Sequence, residues 1–420
     1  MKAPWKVLHL DLSESIPVLP LTPEYEGIFV VFWWHSIPLG HLEISAAQLP
    51  MPATQLVNLI GQKITPAVGC HLLEQGFKGS LPVISANPSR DTPADFHALM
   101  SLDQPLDKLW KRWSQPAPGS VSVVVCTRDR PEQLTQCLRS LQNLGSYEIL
   151  VVDNAPSSDA TRQIVAQMPG IRYVLEPRPG LSVARNTGIR YSTGDIIAFT
   201  DDDVIVHPNW LVRLQQGFGD PRVMGVTGLM LPAQLETEAQ LIFQTGSGWG
   251  YRALTFDAQF FEEMKRRCVP VWQIGAGANM AFRRKAFDLV GYFDERLGAG
   301  AAGCSEDSEI WYRLLASGWH CRYEPAAVVF HYHRSNLDSL KQQMYQYMRG
   351  HVAALLIQYT KYKHWSNLRR LFVTLPKYYT KRFITGLFKG FKPFHQTLLA
   401  EVLGYFSGFK FYLQNSGNNQ

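Results

Sequence analysis

The chain has 420 residues, of which 46% are hydrophobic, 12% aromatic and only 18% charged. That length suits two or three domains of ordinary size, and the composition excludes a disordered or collagen-like chain. The formal charge of +6 is unevenly placed. Residues 341–420 hold twelve Lys and Arg against the single acid Glu401, a balance of +11 that leaves −5 for the rest.

Six scattered cysteines with no CxxC pair argue against a disulfide scaffold or a structural zinc site. The opening MKAPWKVLHLDLSES has acids where an export signal needs an apolar core, and no apolar run approaches the roughly 18 residues that span a bilayer. The expected location is cytoplasmic, either free or peripheral on the inner face of a membrane.

In chain order, the apolar run from Gly27 to His35, a turn-like Ser36–Gly40 and the segment from His41 predict a β-hairpin, and residues 54–64 predict a helix. Residues 1–118 read as an accessory α+β module without visible chemistry. The Pro- and Ser-rich stretch Ser114–Ser120 marks a linker, with a domain boundary near residue 118. Strands are then predicted at 121–126, 148–152, 171–175 and 195–200, alternating with helices at 131–144, 159–167 and 181–191. This alternation predicts an α/β fold, a mostly parallel Rossmann-like sheet with helices on both faces, over residues 119–338. In such sheets ligands bind beyond the carboxyl ends of the strands. Residues 339–420 interleave Lys and Arg with Tyr, Phe, Trp and Leu and predict an amphipathic helical region. It suits either an anionic membrane surface, through residues 341–413, or packing on the catalytic domain; nucleic acid is not an expected partner.

Three signals carry chemistry. Asp201-Asp202-Asp203 follows an apolar strand, and like charges so close call for a cation such as Mg2+ or Mn2+ together with phosphate oxygens. The plain alternative makes Asp203 the cap of a helix starting near Pro208. Glu306, Asp307 and Glu309 form a second acidic cluster at a helix start, where acids also suit the helix dipole. The third signal is a strand from Ala326 that ends in His331-Tyr-His333, where a lone histidine would more often be a satisfied core residue than a ligand.

VSVVVCTRDRPEQLTQCLRSL, EILVVDNAPSSDAT, RPGLSVARNTGI, GDIIAFTDDDV, GANMAFRRKAFDLVGYFDERL, SEDSEIWYRLLASG and PAAVVFHYHRS occur in that order. Together they resemble a family-2 glycosyltransferase of the GT-A fold, non-processive because the membrane helices and the Gln-x-x-Arg-Trp segment of processive synthases are missing. The resemblance implies inverting transfer of a sugar from a nucleotide-diphosphate sugar to a saccharide or lipid-linked acceptor, with a divalent metal, Mn or Mg. It implies that Thr127, Arg128 and Asp153 line the nucleotide pocket, with the base open between uracil, thymine and guanine. Asp203 maps onto the direct metal ligand of a DXD motif, Asp201 or Asp202 onto ribose or a metal-bound water, and His331 onto a later metal ligand. His333 fits less well and would face the phosphates. Arg185 and Asn186 would hold the loop beneath the donor, and Gly275, Gly277 and Asn279 lie where the backbone approaches the donor sugar. Asp307 is expected as general base, with Glu306 orienting it or the acceptor. A nucleotidyltransferase would need a glycine-rich basic loop after the first strand that is missing here. A degenerate sugar-binding module would have lost the base or metal ligands, which are all present.

Overall fold

A computed structural model describes residues 2–74, 119–246 and 248–415. Three strands open the chain: β1 (Trp5–Asp11), β2 (Gly27–Trp34) and β3 (Ile37–Ser45), in the order β1-β2-β3. The second and third form the predicted hairpin, but the turn is tighter than expected. His35 takes a left-handed conformation (φ 52°), so Ile37 already pairs with Trp34. The first strand was not predicted. It lies parallel to β2, a pairing with no hairpin turn to announce it.

Helix α1 (Ala53–Glu74) outruns the predicted 54–64 and covers one face of this sheet. All eight residues of β2 are buried because both its faces are covered. Ile28, Val30, Phe32 and Trp34 pack with α1, whereas Phe29, Val31 and Trp33 join the core of the larger sheet. Trp33 stacks on His207 with ring centroids 5.5 Å apart, and Trp5 N donates to Leu235 O at 2.7 Å. Truncating a side chain as enclosed as Phe32 to Ala would cost about 3–5 kcal/mol. The proposed linker up to residue 118 lies outside the described residues.

The larger sheet holds β4 (Val121–Thr127), β5 (Glu148–Asn154), β6 (Ile171–Glu176), β7 (Ile196–Asp201), β8 (Val204–Val206), β9 (Val223–Pro232), β10 (Leu254–Phe256), β11 (Asn279–Arg283) and β12 (His320–His331). Its order among the described residues is β10-β12-β9-β11-β7-β4-β5-β6, with β8 paired to β12. Strands β7, β4, β5 and β6 run parallel, as do β9 and β12, while β11 is antiparallel to both of its neighbours. Alternate residues of β4 reach opposite cores: Val121, Val123 and Val125 on one side, Val124 and Cys126 on the other. A strand covered on both faces reads as a continuous β-branched run, as this one did.

The helices that follow α1 are α2 (Pro131–Gln142), α3 (Ala160–Ala166), α4 (Leu181–Tyr191), α5 (Trp210–Gln216), α6 (Glu238–Gly246), α7 (Ala258–Met264), α8 (Lys285–Val290), α9 (Glu306–Ala316), α10 (Leu337–Tyr362), α11 (Trp365–Arg369), α12 (Leu375–Lys389) and α13 (Leu398–Asn415). Helices α2 and α4 lie close to their predicted limits. Asp203 caps no helix: it sits in the turn between β7 and β8, and the next helix begins at Trp210 after Asn209.

Helix α10 buries Leu340, Val352, Ala353, Ala354, Leu355 and Ile357. Helices α12 and α13 instead leave large apolar side chains in solvent, among them Phe383, Ile384, Leu387, Phe388, Leu399, Leu403 and Phe406, with Phe388 86% exposed. Among the described residues no helix is long and apolar enough to cross a membrane.

Candidate active site

Strand pairing brings the ends of β4, β5 and β7 level, with Thr127 opposite Asp153 and Cys126 opposite Asp201. Beyond these ends lies a cavity of about 710 Å³. Thr127, Arg128, Arg185, Asp201, Asp202, Asp203, Gly275, Gly277, Glu306, Asp307 and His331 all line it. Residues predicted from strings as far apart as those of Thr127 and His331 therefore share one space.

Backbone pairing explains how His331 meets Asp203. His331, the last residue of β12, pairs with Val204 of β8, and Tyr332 N donates to Asp203 O at 3.1 Å. His331 Nε2 then lies 3.2 Å from Asp203 Oδ1. Burial opposes charge on Asp203, but His331 and the nearby Arg130 and Arg334 outweigh it and hold the carboxyl well below its ordinary range. Burial likewise disfavours the charged imidazole, yet Asp203 raises the His331 pKa.

His333 stands behind His331 and does not face the cavity. Its Nδ1 is 2.9 Å from His331 Nδ1, and its Nε2 is 3.0 Å from Gln244 Oε1. Burial, then His331, pushes its pKa down to about 3, so it is neutral. With the Gln244 oxygen accepting from Nε2, His333 Nδ1 accepts the Nδ1 proton of His331. This leaves His331 Nε2 as the nitrogen presented to the Asp203 side, the arrangement by which a second histidine orients a ligating one.

The three aspartates are not equivalent. Asp202 is nearly enclosed: Thr127 Oγ1 donates to its Oδ2 at 2.8 Å and Arg130 Nη1 to its Oδ1 at 3.0 Å. Burial, then the neighbouring Asp203, raises its pKa to about 6. Asp201 keeps about a third of its side chain exposed and takes Arg185 Nη2 at 3.3 Å. Arg130 also reaches Asp203 at 3.3 Å. It was missed in the sequence because Arg128-Asp-Arg130 offers two cations. Arg128, the one chosen, is the more exposed and lies 3.8 Å from Asp129.

Glu306 and Asp307 start α9 after Ser305, which is held in the left-handed region (φ 73°). Backbone strain of this kind gathers at functional sites. Glu306 is buried against Arg185 Nη1 at 2.5 Å. Burial, then Glu306, raises the Asp307 pKa to about 7, although Arg185 and the backbone N–H groups of Ser308 and Gly277 oppose the rise.

Other predicted residues sit elsewhere. Asp153 is fully buried and lies off the cavity wall, accepting from Tyr173 Oη at 2.9 Å. Asn279 also lies off the wall: its Nδ2 donates to Leu229 O (3.0 Å) and Ala327 O (2.8 Å), and its Oδ1 accepts from Trp210 Nε1 at 2.8 Å. It pins β11 to β9 and β12, which corrects the expectation that it faces the donor. Asn186 holds Phe293 through its backbone oxygen and N–H, both at 3.0 Å. A Cβ on Gly275 would lie 2.5 Å from Thr227 Cβ, and one on Gly277 would lie 2.9 Å from Arg185 Nη2, so both glycines admit protein neighbours closely.

One wall was not foreseen. Helix α10 contributes Gln343, Met344, Tyr347 and His351 to the cavity, joined by Trp249, Trp272 and Arg370. Gly350 lets this helix press on the loop before α9, since a Cβ there would lie 2.5 Å from Cys304 O. The region expected to serve membrane or packing is thus also part of the site.

The donor set fits a hard divalent ion only in part. Asp203, Asp201 and His331 supply carboxylate oxygen and imidazole nitrogen, yet among the described residues no group of three or more His, Cys, Asp or Glu is arranged to hold an ion alone. Such a set suits Mg2+ or Mn2+ completed by substrate phosphates.

Residues 122–291 match the family model Glycosyl transferase family 2. The pre-mycofactocin glycosyltransferase of Mycobacterium tuberculosis is 30% identical over 231 residues, covering 53% of this chain and 45% of that protein. The succinoglycan biosynthesis protein ExoM of Rhizobium meliloti is 30% identical over 223 residues, 50% of this chain and 65% of that protein. The chain thus spans between about half and two thirds of the length of these relatives. Among solved structures, the mannosyltransferase PcManGT of Pyrobaculum calidifontis, in complex with GDP-Man and Mn2+, covers 74% of this chain and 95% of its own at 17% identity, with a TM-score of 0.49. Over residues 122–291 the chain is similar to the family-2 glycosyltransferases.

Proposed function

We propose that the protein transfers a sugar, with inversion, from a nucleoside-diphosphate sugar to an acceptor hydroxyl. The observation that carries this reading is the meeting in one cavity of the Asp203–His331 pair, 3.2 Å apart, with a buried carboxyl at Asp307 whose pKa is raised to about 7. In this reading Asp203, His331 and Asp201 hold a divalent ion. Bound there with the donor's diphosphate, it would offset the charge that develops on the leaving group.

Asp307 acts as general base. It takes the proton of the acceptor hydroxyl as that oxygen forms its bond to the anomeric carbon. The bond from that carbon to the diphosphate oxygen breaks, and its electron pair leaves with the nucleoside diphosphate. A carboxylate near pH 7 is well matched to this late proton transfer. Arg130 and Arg334 stand beside Asp203 where the diphosphate would lie. Arg185 holds Glu306 and Asp201 in register. Thr127, Arg128 and Asp153 are assigned to the nucleoside, Asp153 through its neighbours because it is buried.

The acceptor is a saccharide or lipid-linked glycan. Helices α12 and α13 lie against an anionic membrane, supported by the exposed Phe388, Leu399, Leu403 and Phe406 with Lys377, Lys381, Lys389 and Lys392 exposed among them. Apolar patches rimmed by cations suit such surfaces. A panel of nucleotide sugars with MnCl2, read by thermal stabilisation and donor hydrolysis, tests the activity. At 100 times its dissociation constant the true donor stabilises the fold by about 2.7 kcal/mol. Equal response to every donor, with and without metal, contradicts the reading.

A further inference from the structure

Among the described residues five arginines line the cavity: Arg128, Arg130, Arg185, Arg334 and Arg370. Four have a carboxylate within ion-pair distance: Arg128 with Asp129 at 3.8 Å, Arg130 with Asp202 at 3.0 Å, Arg185 with Glu306 at 2.5 Å and Arg334 with Asp203 at 3.8 Å. Arg370 has none among the described residues. Of the five N–H donors of its guanidinium, only Nε–H has a hydrogen-bond partner there, His351 Nε2 at 2.8 Å.

The side chain is nonetheless held firmly. Its guanidinium carbon lies 3.9 Å from the centre of the Trp272 ring, and Trp272 meets His351 edge-on at 5.0 Å. Burial, reinforced by Arg370, keeps the His351 pKa well below its ordinary value, so His351 is neutral and its Nε2 accepts. A half-buried cation has lost much of its hydration, which is costly unless an anion replaces it. Stacking on an aromatic ring recovers only part of that cost.

With Asp307 as the proposed base, the location falls on the acceptor side. His351 follows Gly350, where an added Cβ would lie 2.5 Å from Cys304 O just ahead of Glu306 and Asp307, whereas Asp203 and His331 occupy the β8–β12 end. Arg370 opens a π-helical turn, Arg370–Thr374, between α11 and α12. Such turns often mark functional positions. Phe372 and Val373 of the same turn are exposed on the apolar surface, so Arg370 joins the cavity to that surface.

We propose that Arg370, braced by Trp272 and His351, is a subsite for a phosphate group on the acceptor. This rests on the transferase reading above and narrows it. A guanidinium presenting its Nη donors matches two phosphate oxygens at once. The phosphate belongs either to a lipid carrier entering from the apolar surface or to a water-soluble sugar phosphate.

The test is calorimetric titration of the full chain, with Mn2+ and the nucleoside diphosphate of the selected donor both saturating, against hexyl phosphate, glucose 1-phosphate and hexanoate. The expected result is saturable binding of at least one phosphate and weaker binding of hexanoate. Arg370→Gln should weaken phosphate binding about tenfold to a hundredfold, with Arg370→Lys recovering part of the loss and nucleoside diphosphate affinity unchanged in both. Tighter binding of hexyl phosphate identifies a lipid carrier, and tighter binding of glucose 1-phosphate a soluble acceptor. Equal phosphate affinity in parent and Arg370→Gln, no phosphate binding by the parent, or equal binding of hexanoate overturns the subsite. If no nucleoside diphosphate binds the parent, the donor reading fails separately, and the titration without nucleotide still decides this one.

Discussion

Arg185 Nη1 lies 2.5 Å from Glu306 Oε1 while its Nη2 lies 3.3 Å from Asp201 Oδ1, so a single buried guanidinium ties the end of β7 to the start of α9. Asp201 and Glu306, which the proposed function places on the donor and acceptor sides, are thereby held in fixed relation.

Removing that cation leaves the buried Glu306 carboxylate unpaired. Arg185→Met should destabilise the fold by about 3 kcal/mol and abolish transfer. Adding Glu306→Gln to Arg185→Met should recover part of the stability in chemical denaturation but none of the activity. Full activity in the double variant would show that the link is structural only.

Asp307 gives a pH signature. Its pKa is raised to about 7, mainly by burial and then by Glu306, so with Asp307 as the proposed base kcat should rise as pH climbs through that value. Asp307→Asn should lower kcat by roughly 10²–10⁴-fold. The folded state binds this proton more tightly than the unfolded chain, so parent stability falls between about pH 4, the ordinary carboxylate range, and pH 7. Asp307→Asn removes that loss and should melt higher than the parent at pH 8. An unchanged acidic limb in Asp307→Asn would assign the base elsewhere.

Gly350→Ala tests the wall formed by α10. Its Cβ would meet Cys304 O at 2.5 Å and Cys304 N at 2.7 Å, all backbone, so helix or loop must shift. We expect a loss of about 1–3 kcal/mol in stability and at least a tenfold fall in kcat, since small misplacements of a reacting group are costly. Nucleoside diphosphate affinity should hold. Parental kcat would detach α10 from the chemistry.

Co-sedimentation with vesicles tests the apolar surface. The parent should bind anionic vesicles better than neutral ones and lose much of that binding in 0.5 M salt, because screening shortens the reach of its lysines. Phe388→Ser with Phe406→Ser should weaken binding at every salt concentration. Equal binding to neutral and anionic vesicles would contradict the electrostatic part, and no effect of the double substitution the apolar part.

What could be read beforehand was local. The run Val121–Val125, the aspartates after β7 and the Glu306-Asp307 pair each announce themselves within a few residues, and the structure gathers them at strand ends and a helix start. What escaped depends on distant partners. Arg130 differs from Arg128 only in which one folds over Asp202. Asn279 looks like a loop residue until Trp210 and Ala327 close on its amide. Trp272, His351 and Arg370 lie on three separate segments, and no spacing rule links them. Strand β1 pairs in parallel with β2, which leaves no turn signature to find.

In the proposed function Asp203 holds a divalent ion together with the donor's nucleoside diphosphate. Isothermal titration of uridine, thymidine and guanosine diphosphates into the parent and Asp203→Ala, with MnCl2 and with EDTA, tests it most directly. The parent should bind one nucleotide tightly only when Mn2+ is present, and Asp203→Ala should lose that binding with its melting temperature retained. Metal-dependent binding of equal strength in Asp203→Ala, or binding by the parent that EDTA leaves untouched, would contradict it.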